Sequence, residues 1–145
     1  MNLGAIRIEP GTAWEAIPLA AEAPSQPVRW LGSDPEPIPL TPWTQLWIAD
    51  PFADRIGPPN ALASALLGFL HLPIQLIAGT AYMTGGRTGT AAPLTDIQQQ
   101  AFTATLQTLL AMPDYLALHA QAGRLATTWR RPTVERNPRH DRALP

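Results

Sequence analysis

The stretch ALASALLGFLHLPIQLIAGTAYM, residues 61–83, constrains this chain more than any other. Its 23 residues carry no formal charge, and none occurs between Arg55 and Arg87. As one helix it would measure about 34 Å, against a bilayer hydrocarbon core of about 30 Å. Its hydropathy sits at the threshold for a membrane span, held down by His71, Pro73 and Gln75. At 100° per residue, Asn60, Ser64, Gly68, His71, Gln75, Gly79 and Tyr82 fall on one stripe about 120° wide. The remaining faces are leucine, isoleucine and phenylalanine. A soluble surface helix shows charge on its solvent face. Here the stripe is small and uncharged, as in helices that pack inside membranes. The expectation is a membrane-embedded or membrane-associated helix at 60–85. Ser64, Gly68, His71, Gln75 and Gly79 would be its helix-packing positions. The competing expectation is a buried helix of a soluble core, broken at Pro73.

Residues 1–59 contain eleven of the seventeen prolines, which argues against long helices and central strands. The segment SDPEPIPLTP, 33–42, reads as an extended, polyproline-like connector. Trp14, Trp30, Trp43 and Trp47 make this an arm pinned to another surface rather than a disordered linker. AIRIE and PVRWL alternate apolar and polar residues, so a short strand pair is open to them. In TPWTQLWIADPF, 41–52, Thr41 suits a helix cap and Pro42 a first helical position. Trp43 and Trp47 then share one helical face as the arm's anchors.

After the glycine-rich loop GRTGTAAP, the pattern predicts two amphipathic helices within 94–129. The first opens on a capping box, Thr95 with Gln98, and carries Phe102, Leu106, Leu109 and Leu110 on one face. Pro113 ends or kinks it. The second runs from about Asp114 with Tyr115, Leu118, Ala122, Leu125 and Trp129 at spacings of three and four. The two are expected to form a hairpin. The reading is therefore a mainly α chain: an extended Pro/Trp-rich arm at 1–59, one apolar helix, a helical hairpin at 94–129, and an Arg-rich tail at 130–145.

Charge is uneven. Residues 1–58 hold three Arg against seven acids, and 116–145 hold six Arg against two. Arg130, Arg131, Arg136 and Arg139 are candidate anion-binding residues, for lipid headgroups or nucleic acid. All ten basic residues are Arg, which with abundant Ala and Pro fits a bacterial chain from a GC-rich genome.

Catalytic chemistry finds little footing. The absence of cysteine excludes thiolate nucleophiles, disulfides and Cys-based metal sites. His71, His119 and His140 lack a partner at metal-ligand spacing. TGGRTGT, 84–90, lacks the Gly-Lys-Ser/Thr of a phosphate-binding loop. No cofactor is implied and no signal-peptide pattern opens the chain. The function expected is that of a non-catalytic accessory or scaffolding subunit of a larger, membrane-associated bacterial complex. Its partners would be other protein subunits and membrane lipid. The alternatives are a soluble assembly component, as of a phage particle, and a nucleic-acid-binding accessory protein. Localisation follows the apolar run: membrane-associated, otherwise cytoplasmic.

Overall fold

A computed structural model describes residues 3–19, 25–32, 34–50, 57–73 and 75–125. Its centre is a five-stranded antiparallel sheet. The strands are β1 (Gly4–Ile8), β2 (Trp14–Pro18), β3 (Glu36–Thr41), β4 (Thr44–Ile48) and β5 (Ala81–Gly85), in the spatial order β2-β1-β5-β4-β3. Helices α1 (Gln26–Leu31), α2 (Ala61–Phe69) and α3 (Asp96–Leu110) accompany it. A fourth, α4, is helical from 113 to 125.

The mainly α expectation is thus overturned, and the prolines show why. Pro37 and Pro39 lie in β3 and Pro18 ends β2, and these are the two edge strands. An edge strand can turn a missing N–H outward, whereas a central strand cannot. The inner strands β1, β5 and β4 contain no proline. Of the two segments open to a strand pair, AIRIE overlaps β1 and PVRWL lies instead in α1, while the proline-free window TQLWI forms β4.

The helix expected at 41–52 is instead the β3–β4 hairpin. Thr41 and Pro42 suit a tight turn as well as a helix start. The Thr41 and Thr44 hydroxyls lie 2.7 Å apart across it, and Trp43 N–H donates to Thr41 Oγ1 at 3.2 Å. Trp43 therefore stands exposed at the hairpin tip. Trp47, buried in β4, donates its indole N–H to Thr84 Oγ1 at 2.9 Å.

The apolar run does not form one helix. α2 stops at Phe69, giving a length of about 13 Å. His71 takes a left-handed φ of 58°, the chain reverses, and 81–85 become the central strand. Among the described residues no helix is long and apolar enough to cross a membrane.

The stripe's lack of charge has an internal cause, because it faces the chain's own returning backbone. Ser64 Oγ accepts from Ile77 N–H at 2.9 Å. Asn60, fully buried, caps α2 by accepting from Ala63 N–H at 3.1 Å. Its amide nitrogen donates to Ile8 O at 3.0 Å and to Gly79 O at 2.9 Å. Its backbone N–H reaches Ile77 O at 2.7 Å. Gly79, at φ 76°, supplies the bend that a side chain would strain.

Every residue from Ala61 to Leu67 is buried. The core joins Ile6, Ile8, Leu46 and Met83 of the sheet to Leu62 and Leu66 of α2 and to Leu106 and Leu109 of α3. α3 begins on the Thr95–Gln98 capping box, with both reciprocal bonds made. The opposite sheet face is smaller. There Ala5, Ile17 and Leu19 pack with Trp30 of α1, whose ring stacks on Tyr82 at 4.4 Å.

Asn60→Ala removes the cap and leaves two inward carbonyls without their donor. We expect a loss of about 2–4 kcal/mol in urea unfolding, from a cap worth about 1 and unsatisfied groups worth about 1–3. A loss under about 1 kcal/mol would show that the returning segment holds without it.

Candidate functional site

Where α2 ends, the turn after it and α4 enclose an open groove of about 570 Å³. One wall is Gly68, His71, Leu72 and Leu76; the other is Tyr115, Leu118, His119 and Ala122. The second wall is one helical face, at i, i+3, i+4 and i+7. Pro113 opens α4 at a position where its missing N–H costs nothing. Leu116, one residue from Tyr115, turns into the core and fixes the helix's rotation.

Two glycines set how closely α4 approaches. A Cβ on Gly68 would meet the Tyr115 hydroxyl at 2.6 Å, and one on Gly123 would meet Pro59 Cβ at 2.7 Å. The α2 turn is equally fixed. Leu70 N–H bonds Leu66 O at 3.0 Å, His71 N–H bonds Gly68 O at 3.1 Å and Leu72 N–H bonds Leu67 O at 3.0 Å.

Inside the groove, the Tyr115 and His119 rings meet edge to face at 4.7 Å. Burial holds the His119 imidazole below its ordinary pKa, because the charged form loses water there. No carboxylate, serine or lysine belongs to the lining, so neither imidazole has a partner there to orient it for proton transfer. Among the described residues no three metal-ligating side chains come together. Chemically, the groove offers apolar surface with two imidazoles and one phenol.

The expected packing residues divide in the structure. Gly68 and His71 line the groove, Ser64 and Gly79 hold the returning segment, and Gln75 is exposed outside the lining. Ser64 and Gly79 thus make these contacts within the chain. The arm anchors separate into an exposed Trp43 and a buried Trp47. Arg130, Arg131, Arg136 and Arg139 lie outside the described residues. Sequence reasoning missed the meeting of His119 and Tyr115 with Gly68. The i, i+4 spacing of Tyr115 and His119 was readable, but their docking on α2 depends on where the apolar run turns. Comparison with protein-family models, curated proteins and solved structures gives no match, so the geometry alone carries the reading.

The pH dependence follows from His119. Its neutral form is favoured in the folded chain, so the docking of α4 is at full strength above the ordinary value of 6.5. It weakens as pH falls below that value toward the depressed, folded-state one. An NMR titration should place the His119 midpoint below 6.5. Gly68→Leu, by forcing Tyr115 aside, should return it toward the ordinary value. A native His119 that titrates at its ordinary value would break the link between the groove and the imidazole.

Proposed function

We propose that this chain is a non-catalytic accessory subunit that binds another protein by taking an apolar segment of it into the groove between α2 and α4. One observation carries the reading: the groove lining is mostly hydrocarbon, and two of its side chains, Leu76 and Leu118, are large, apolar and exposed. Ten large apolar residues are exposed among those described. Six of them, Phe69, Leu76, Leu110, Met112, Leu118 and Leu125, fall within 69–76 or 110–125. Scattered singly, such residues need no explanation, but Leu76 and Leu118 line one concave surface, which supports a binding site there.

The partner segment is apolar because the lining is. Leu72, Leu76, Leu118 and Ala122 present hydrocarbon, and a charge placed against them would lose water without gaining a counter-charge. The imidazoles and the Tyr115 hydroxyl supply the few polar groups that fix the orientation of an occupant. The α4 wall is helical and the Gly68–Leu72 part of the other wall is a hydrogen-bonded helix end, which limits the ordering needed on binding.

A photo-crosslinking residue at position 118, compared with one at half-buried Thr105 on α3, tests this in the native host. The expected result is one dominant protein adduct from position 118 that position 105 does not give. The double change Leu76→Asp and Leu118→Asp should abolish co-purification of that protein while the far-ultraviolet circular dichroism stays native. Both side chains are exposed in the free chain, so their loss costs little stability. Equal adducts from the two positions, or co-purification indifferent to the double change, would remove the groove as the binding site.

A further inference from the structure

At the hairpin end of the sheet a second arrangement stands apart from the groove. Gln45 of β4 is fully buried, yet its amide bonds to nothing in the core. Nε2 donates to Arg87 O and Thr90 O, each at 2.6 Å, and Oε1 accepts from Gly89 N–H at 2.9 Å. A buried amide left unpaired is costly, so these three bonds hold the 86–90 loop firmly to the sheet. Gly86, at φ 96°, tightens the loop further: a Cβ there would collide with Thr90 O at 2.1 Å. Residues Arg87–Thr90 are exposed, so this rigidity does not serve the core.

What the rigid loop presents is Arg87. Its guanidinium carbon lies 4.7 Å from the centre of the Trp43 ring at the β3–β4 tip. Trp43 is 54% exposed, more than any other aromatic residue among those described. A guanidinium over a ring face makes a cation–π contact that consumes none of its five N–H donors. No carboxylate pairs with Arg87 among the described residues, whereas Arg7 is paired with Glu9 and Glu15.

We propose that Arg87, held on Trp43, is a recognition site for a carboxylate side chain in an acidic segment of a partner protein. Charge complementarity selects the occupant. Arg87 is the only charged residue among those described from 57 to 95. Nucleic acid or an anionic lipid surface needs a basic patch spread over many contacts, which one Arg does not supply. A single stacked Arg instead fits one carboxylate bidentately. Trp and Arg together are also the residues most often found at the energetic centre of protein interfaces.

The test is fluorescence anisotropy of the full chain with a labelled hexaglutamate peptide, with labelled hexaglutamine as control and inorganic phosphate as competitor. Each arm is repeated on a chain with Arg130, Arg131, Arg136 and Arg139 changed to Gln, because the tail also attracts acids. Hexaglutamate should bind in a salt-sensitive manner and hexaglutamine should not. Arg87→Gln should weaken binding about tenfold in both backgrounds, the scale of a lost charged hydrogen-bonded pair. Arg87→Lys keeps the charge but loses the fork and should fall between. Trp43→Leu should weaken binding although no charge changes. The groove variant Leu118→Asp should leave the peptide affinity unaltered, which keeps this site separate from the groove. Binding indifferent to Arg87→Gln overturns the proposal. So does phosphate binding that depends on Arg87 when hexaglutamate binding does not.

Discussion

Asn60 is where helix, sheet and returning chain are tied together, and the groove depends on that tie. One buried amide caps α2, holds the end of β1 through Ile8 O and fixes Gly79 where the chain turns into β5. Ser64, one turn along α2, secures Ile77 in the same way. The chain is therefore pinned by α2 up to Leu72 and again by the Ile77–Gly79 anchorage. This leaves Leu72 and Leu76 beside Gly68 as one groove wall. Without that anchorage the same leucines would have no fixed relation to α4.

The sheet depends on the same segment. β1 and β2 form one hairpin and β3 and β4 another, and each joins consecutive strands. Neither hairpin touches the other directly in the sheet. β5 enters between β1 and β4 and pairs with both. An isolated two-stranded hairpin is marginal in water, so both gain their stability when β5 docks. The apolar run is thus the element that makes five strands one sheet. Its freedom from charge is what a fully enclosed helix and a central strand require, as much as a bilayer would.

That double meaning limited what the sequence could disclose. The capping box at Thr95, the α3 face of Phe102, Leu106 and Leu109, and a helix opening near Pro113 were legible because each signal is local. The fate of residues 61–83 was not. A helix broken at Pro73 and a helix that reverses at His71 share one composition, and the reversal rests on a left-handed residue with no glycine to announce it. The strands were obscured for a different reason. β1 showed in the alternation of AIRIE, but β4 is five residues long and sits among prolines, and whether a proline is tolerated depends on whether its strand lies at an edge. That fact belongs to the sheet, not to the strand. The groove was half visible, in Gly68 and His71 on one side and Tyr115 and Leu118 on the other. Nothing in their spacing says that they meet.

The same prolines decide which surfaces remain for a partner. An exposed sheet edge ordinarily invites another strand through its unpaired N–H and C=O groups. β3 pairs inward with β4 through its register of Ile38 with Leu46, while Pro37 and Pro39 share the alternate positions and can offer no donor to an incoming strand. β2 at the other edge is five residues long, ends in Pro18 and carries Glu15 in an ion pair with Arg7. Short length, proline and charge are the devices that keep sheet edges from pairing. With main-chain pairing disfavoured at both edges, recognition falls to side chains. The described surface offers two places where those side chains are both exposed and held: the apolar groove against α4, and Arg87 on Trp43 at the hairpin tip. One is apolar and the other charged, so on the two proposals a partner engaging both would carry an apolar segment and an acidic one at a fixed separation. Such two-point recognition selects a partner by geometry as well as by chemistry.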